Sequence, residues 1–295
     1  MKKLGFVSLA LVLVIAAGCQ KESAQAPELM VIADSVASAD SVMIYYQSHG
    51  GGDRAVVFVH GWSCDGSHWA RQVEAFADEF RVVTVDLAGH GKSGANRAEW
   101  TLGRFGDDVA AVVNALDVKE VILVGHSMGG PICVEAARRI PDRTVALVGA
   151  DTFQRMSQKA PTDQVEEFLA PFRDSFVVSA QGFVREIFGP EADSVLVEEV
   201  VADMSAADSA IAMASFEAVF SHDVGAALTD MRKPIRAINS DRWPTDVEGN
   251  RSVAESFEVE IIKGIGHFPH LEAPLAFNLA LRNILHEFWP PEEQT

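Results

Sequence analysis

The amino-acid sequence predicts an α/β protein with a mostly parallel central sheet and helices on both faces. Seven short apolar runs alternate with segments whose apolar residues recur at helical spacing. Runs such as VVFV, VVTV and VILV lack the alternation of a half-exposed strand, which is typical of parallel strands buried on both faces. The predicted strands lie at residues 42–47, 55–60, 81–86, 121–126, 145–151, 235–239 and 259–263.

One long interval, residues 152–229, interrupts this alternation. It has no strong strand run and is rich in Phe and Met within helix-like stretches, so we expect a helical cap inserted over one end of the sheet. The core would then comprise residues 41–151 and 230–295. The large apolar residues of the interval are Phe168, Phe172, Phe176, Phe183, Phe188, Met204, Met213, Phe216 and Phe220.

Composition and charge exclude some classes of partner. The 295 residues are 48% hydrophobic, enough for one large domain with an insertion. The formal net charge is −18, from 42 acidic and 24 basic residues. Nucleic-acid binding requires a basic surface, so we expect no nucleic-acid partner, and charge cannot bring the chain to an anionic membrane.

The N-terminus predicts export by another route. Lys2 and Lys3 precede a nearly continuous apolar run at 4–17, the layout of a signal peptide. The sequence IAAGC, ending at Cys19, is similar to a bacterial lipoprotein signal, which implies removal of residues 1–18 and a lipid on Cys19. Residues 19–40 would be the tether. We expect an exported, membrane-anchored lipoprotein, on the outer membrane or periplasmic face if the cell is Gram-negative.

Metal and cofactor sites are not indicated. The sequence has no H-E-x-x-H, C-x-x-C, phosphate loop or dinucleotide fingerprint. Cys64 and Cys133 remain after Cys19; they are expected to be buried free thiols, although pairing in an oxidising compartment is an alternative. We therefore expect no metal and no cofactor.

The strongest chemical motif is VILVGHSMGG at 121–130, where an apolar strand runs into G-x-S-x-G and then a helix. A nucleophilic serine needs a sharp turn with small neighbours, which Gly125 and Gly129 supply. The following helix aims backbone N–H groups at the site, so the Met128 N–H is a candidate oxyanion donor. This segment resembles the nucleophile elbow of the α/β-hydrolase fold family, with Ser127 as nucleophile.

Two upstream loops resemble the same family. The run VVFVHGW is similar to its HG-containing oxyanion loop, which implies that the Trp62 N–H is the second oxyanion donor and that His60 is a structural brace. The run VVTVDLAGHGKS at 82–93 is similar to its D-x-x-G-H-G-x-S loop, which supports the site without chemistry.

The base and the acid are sought near the C-terminus. The run GHFPHLE closely resembles the family's base loop and implies His267 as base, with His270 packing nearby. The position of the acid departs from the family's usual spacing. Asp241, which follows the 235–239 strand, is the first candidate, and Asp246 and Asp151 are alternatives.

The resemblance implies a cofactor-free serine hydrolase that acts through an acyl-enzyme. It does not settle the reaction, and we expect cleavage of a carboxylic ester or lactone. Carbon–carbon bond hydrolases and aminopeptidases of this fold keep the same serine, and a non-catalytic, lipid-anchored binding protein is a further alternative. The Phe- and Met-rich cap predicts a neutral, apolar substrate of small to medium size, because its cations are dispersed among acids. They are Arg155, Lys159, Arg173 and Arg185.

Overall fold

The structure, a computed structural model, describes residues 30–229 and 231–291. Its centre is an eight-stranded sheet in the order β1-β2-β4-β3-β5-β6-β7-β8. Strands β3 to β8 run parallel to one another, whereas β2 pairs antiparallel with both β1 and β4. The predicted α/β-hydrolase architecture, with a mostly parallel sheet, is confirmed.

All seven predicted strands are present, within a few residues of the expected bounds. The strands are β1 Val31–Ala37, β2 Met43–His49, β3 Arg54–Val59, β4 Arg81–Val85, β5 Glu120–His126, β6 Thr144–Ala150, β7 Ile235–Ser240 and β8 Phe257–Ile262. The helices are α1 Ala70–Phe76, α2 Leu102–Ala115, α3 Gly129–Arg139, α4 Thr162–Asp174, α5 Phe176–Ile187, α6 Ser194–Ser205, α7 Ser209–Ser221, α8 Val224–Leu228, α9 Val247–Val253, α10 Pro269–Glu272 and α11 Pro274–Phe288. A 3₁₀ turn at Gly66–Trp69 precedes α1.

Helices cover both faces of the sheet because its central strands are apolar on both sides. In β3, every residue from Ala55 to Val59 is buried. Alternate residues of β3 and β5 enter two separate cores, one beneath α2 and α3 and the other beneath α1 and α11. Strand order reverses between β3 and β5, and the crevice outside the carboxyl ends of strands at such a point is where ligands bind in open α/β sheets.

The predicted tether at residues 19–40 is wrong in its second part. Residues 31–37 form β1, which pairs with the whole of β2 at the edge of the sheet. Most side chains of β1 are solvent-exposed, so this strand carries no apolar run of the kind that marks the others. The predicted signal at 1–18, and Cys19, lie outside the described residues. No helix within the described ranges is long and apolar enough to cross a membrane.

Helices α4 to α8 form the insertion between β6 and β7. An aromatic cluster joins them to the core through Trp62, whose indole stacks on Phe216 at 3.9 Å between ring centroids. Phe172 and Phe183 meet the same indole edge-on, at 5.9 and 6.2 Å. The Phe residues of the interval therefore form the core of the insertion and attach it to the sheet. Cys64 and Cys133 are buried free thiols.

Candidate active site

Ser127 occupies the sharp turn between β5 and α3. Its φ is +50°, in the left-handed region that costs an L-residue on the order of 1 kcal/mol or more. The turn is held because the Ser127 N–H donates to the Ala150 carbonyl at 3.1 Å and the Gly130 N–H donates to the Ser127 carbonyl at 3.0 Å. A Cβ on Gly129 would collide with the Val59 carbonyl oxygen. The sequence GHSMGG thus forms a strained turn that presents a half-buried serine.

His267 is held by Asp151. The His267 Nδ1 lies 2.6 Å from Asp151 Oδ2, and Asp151 is only 1% exposed. The other carboxylate oxygen of Asp151 accepts from the backbone N–H and the hydroxyl of Ser240, at 2.7 and 2.9 Å. Because a carboxylate can only accept here, the proton of a neutral imidazole is on Nδ1, and Nε2 is free to accept another.

The expectation that Asp241 completes this pair is wrong, and Asp151, one of the two alternatives, takes the position. Asp241 is exposed, and its Oδ1 accepts from the Gly264 N–H at 2.9 Å, so its side chain points to the turn after β8. Asp246 caps α9 by accepting from the Gly249 N–H at 2.9 Å. In the loop after β7, the residue that contacts His267 is instead Trp243, whose ring meets the imidazole edge-on with 5.3 Å between ring centroids.

Ser127, Asp151 and His267 line one cavity of about 420 Å³. Its other walls are Met128, Pro131, Thr152, Gln154, Arg155, Val219, Trp243 and Pro244. Within the described ranges no hydrogen bond joins the Ser127 hydroxyl to His267, and such bonds commonly shorten only when substrate binds. The arrangement places a strained hydroxyl and a carboxylate-held imidazole in the same small cavity.

The two predicted oxyanion donors are placed differently. Met128 lines the cavity and is the first residue before α3, so its amide is at a helix N-terminus. Trp62 does not line this cavity with its side chain, which is buried in the aromatic cluster. Its indole Nε1–H donates to the Ala212 carbonyl at 2.8 Å. Trp62 thereby connects the loop after β3 to helix α7.

His60 and His90 are structural. The His60 Nε2 accepts from the Leu87 N–H at 3.0 Å, and its Nδ1–H donates to the Gly61 carbonyl at 2.8 Å. Burial lowers the pKa of His60 to about 4 and that of His90 to about 3, so both rings are neutral at ordinary pH. Both nitrogens of His60 are engaged within the protein, so this ring is a brace between two loops.

The loop at 82–93 is held by one carboxylate. Asp86 accepts from the N–H groups of Gly66 and Lys92, each at 2.8 Å. His270 is fully buried and stacks on Trp69 with 4.3 Å between centroids. Neither residue lines the cavity that contains Ser127.

His126, inside the motif itself, supports the site and was not anticipated. Its Nε2–H donates to the backbone carbonyl of His267 at 2.8 Å, which ties the loop of His267 to the turn of Ser127. Burial holds the pKa of His126 well below its usual range, so the ring is neutral. The motif specifies nothing at this position, which is why sequence reasoning missed it. No cluster of three metal-ligating side chains occurs among the residues described.

Comparison with known proteins agrees with this architecture. The model of the alpha/beta hydrolase family matches residues 56–280. The chain is 25% identical to 3-oxoadipate enol-lactonase 2 of Acinetobacter baylyi over 263 residues, covering 85% of this chain and 96% of that protein. It is 26% identical to Karrikin insensitive 2 receptor IA of Petunia hybrida over 257 residues, covering 81% and 93%.

Structural comparison gives the same result. Est816, described as an N-acyl homoserine lactone degrading enzyme, has a TM-score of 0.71 and 26% identity, with 84% of this chain and 99% of that chain covered. Some relatives match only in part: the chain spans 30% of an acetoin-cleaving acetyltransferase component of Cupriavidus necator, at 36% identity over 114 residues. With most of its length matched by the family model, the chain belongs to the alpha/beta hydrolase family.

Proposed function

We propose that this protein is a serine hydrolase that cleaves a carboxylic ester or lactone with a small to medium, mostly apolar body. The observation that carries the proposal is the His267–Asp151 pair, joined at 2.6 Å, in the same cavity as the strained Ser127. A hydroxyl that shares a cavity with an oriented imidazole is the arrangement that nucleophilic acyl transfer requires.

The proposed reaction has two halves. The Ser127 hydroxyl attacks the carbonyl carbon while His267 Nε2 takes its proton, and His267 then gives that proton to the departing alcohol. The Met128 and Trp62 amides would stabilise the negative charge that develops on the carbonyl oxygen. Water, deprotonated by His267, then cleaves the acyl-enzyme and restores the serine.

The walls of the cavity support an apolar acyl or alcohol group. Pro131, Val219 and Trp243 contribute apolar surface, and each methylene buried against such surface contributes roughly 0.8 kcal/mol. A volume of about 420 Å³ lies within the range of small-molecule sites. The resemblance to an enol-lactonase and to a lactone-degrading enzyme favours esters and lactones over peptides.

The proposal is tested with Ser127→Ala. We expect a loss of several orders of magnitude in hydrolysis of 4-nitrophenyl butyrate with an unchanged melting temperature, because the covalent route is removed. A fluorophosphonate probe should label wild-type protein at Ser127 and leave this variant unlabelled. Ser252→Ala, at an exposed position of α9, is the matched control and should behave as wild type. Near-normal turnover by Ser127→Ala would show that the nucleophile is another group.

A second candidate is a ligand receptor that keeps the fold. It is favoured by the similarity to a Petunia protein named as a receptor and by the absence, within the described residues, of a Ser127–His267 hydrogen bond. The fluorophosphonate experiment separates the two functions, because a receptor without an activated serine would not be labelled.

We also propose that the protein is exported and held on a membrane by a lipid on Cys19. The supporting observation is the IAAGC run after a short basic and apolar segment. The mature protein should begin at a lipid-modified Cys19 and partition into detergent, and Cys19→Ser should release it or block its processing. Intact-mass measurement decides this: an unmodified start at Gln20 or later would rule out the anchor.

A further inference from the structure

The cavity that contains Ser127 continues into a second one. This second cavity, of about 620 Å³, shares five wall residues with the first and extends along the start of the insertion. The shared residues are Pro131, Thr152, Gln154, Arg155 and Val219. Arg155 therefore lies where the two cavities join, and together they form one extended cleft.

This cleft has few of the carboxylates that dominate the chain. The sequence has 42 acidic and 24 basic residues, so an average surface groove would be lined mainly by carboxylates. Among the described residues that line the two cavities, the only carboxylate is Asp151, whereas Arg155 and Lys159 are both present. A cation that no carboxylate neutralises in such a cleft would attract ligands of the opposite charge.

Arg155 is the cation of this cleft that has no partner within the described ranges. The other three cations of the insertion all pair with carboxylates, at 3.0 Å for Lys159–Asp223 and 2.8 Å for Arg185–Glu198. Arg173 pairs with both Glu166 and Glu217. The guanidinium of Arg155 makes no ion pair and no hydrogen bond to any residue described, and its side chain is exposed to the cleft.

The carboxylates that lie near Arg155 are occupied elsewhere. Asp151 accepts from His267 and Ser240, as described above. Asp246, which lies on the segment facing residues 154–158, accepts from the Gly249 N–H and from the Gln158 amide at 3.3 Å. The planar guanidinium is thus left with its donors free, in a geometry that matches a carboxylate in two parallel hydrogen bonds.

We propose that the substrate is an ester or lactone whose apolar body carries a carboxylate at a distance from the bond that is cleaved, and that Arg155 binds this carboxylate. A single unpaired cation matches a monoanion; a phosphate dianion would need more positive charge than the cleft offers. This inference rests on the proposed hydrolase function for turnover. It replaces the neutral substrate expected from sequence, where Arg155 could not be distinguished from the paired cations.

The test uses two matched pairs of esters, because the carboxylate belongs either to the acyl group or to the alcohol. One pair is the mono-4-nitrophenyl ester of suberic acid and 4-nitrophenyl octanoate. The other is the butyrate ester of 6-hydroxyhexanoic acid and hexyl butyrate. Kinetic constants are measured for the full-length wild type, Arg155→Gln, Arg155→Lys and Arg185→Gln. The last variant is the control, since it removes the same charge from a paired position outside the cleft.

The wild type should prefer the acidic member of one pair roughly tenfold or more in kcat/KM, mainly through KM. Arg155→Gln should abolish that preference, Arg155→Lys should retain part of it, and Arg185→Gln should retain all of it. Preference for the neutral member in both pairs, or equal effects of Arg155→Gln and Arg185→Gln, would overturn the inference.

Binding separates this inference from the proposed reaction. Calorimetric titration of Ser127→Ala with the four esters should show tighter binding of the same acidic ester, and adding Arg155→Gln should remove the difference. If wild type hydrolyses none of the esters but this binding difference is present, the carboxylate site stands and the hydrolase proposal fails. If Ser127→Ala shows no difference, the carboxylate site is refuted.

Discussion

Replacing Asp151 by Asn should inactivate the enzyme through the imidazole of His267 and leave the fold intact. The Ser240 N–H is an obligate donor to Asp151 Oδ1 at 2.7 Å, so in the variant the amide oxygen must remain on that side. The amide NH₂ then faces His267 Nδ1, 2.6 Å away in the wild type. Because NH₂ can only donate, Nδ1 must become the acceptor and the ring proton must move to Nε2.

That change of tautomer removes the atom that would accept the serine proton. In a serine protease of another fold, the same replacement lowers kcat about 10⁴-fold, which corresponds to a loss of about 5 kcal/mol of transition-state stabilisation. We expect a similar loss of kcat for Asp151→Asn, with KM and melting temperature nearly unchanged because shape and the Ser240 hydrogen bonds are preserved.

The assay is steady-state hydrolysis of 4-nitrophenyl butyrate by three Asp→Asn variants. Asp241→Asn is the matched control and should stay within a few-fold of wild type, since Asp241 is exposed and only accepts from the Gly264 N–H. Asp246→Asn keeps a side-chain oxygen that can accept from the Gly249 N–H and should leave kcat close to normal. A loss in Asp241→Asn as large as that in Asp151→Asn would refute the assignment of the acid.

Three further outcomes follow from contacts in the core and the cavity. Arg97→Met should lower the free energy of unfolding by about 3–5 kcal/mol in urea titrations, because it leaves the fully buried Asp108 carboxylate without the cation that now lies 2.5 Å away. Adding Asp108→Asn should recover part of the lost stability. A double variant no more stable than Arg97→Met would contradict this explanation. Gly129→Ala should lower the melting temperature and abolish activity through its collision with the Val59 carbonyl, while Gly182→Ala, which meets open space in α5, should be neutral or slightly stabilising; equal effects would refute the steric argument. In a 4-nitrophenyl series from acetate to palmitate, kcat/KM should peak at short to medium chains, because the cavity that contains Ser127 holds about 420 Å³ and its continuation is entered past the charged Arg155. A peak at palmitate would contradict this interpretation of the cleft.

Sequence reasoning predicted the parts of the fold that depend on local pattern. Seven of the eight strands follow from short runs of apolar residues, which are typical of strands in a sheet with a buried core. The turn at Ser127 was found because its backbone conformation demands small residues at Gly125 and Gly129. Strand β1 was missed because an exposed antiparallel edge strand such as Val31–Ala37 has no apolar signal and is specified only by pairing with β2.

The acid could not be predicted from local pattern because carboxylates at two strand ends are candidates for one histidine. Strands β6, β7 and β8 are neighbours, so carboxylates after β6 and after β7 both approach the loop of His267. The decision depends on backbone direction: Asp151 has a φ of +44° immediately after β6, whereas Asp241 turns toward Gly264. Ser240 then supplies two donors that fix Asp151. None of these interactions has a sequence signature.

The indole of Trp62 couples the loop after β3 rigidly to the insertion. Its hydrogen bond to Ala212 and its stacking on Phe216 mean that α7 cannot swing away from the sheet without displacing the peptide that follows Gly61. Loosening of the insertion and inactivation of the proposed oxyanion site should therefore be a single event. In a denaturant titration, turnover would disappear while the sheet is still intact. For the same reason, a foreign insertion grafted onto this sheet would have to supply its own hydrogen-bond acceptor and stacking ring for the Trp62 indole.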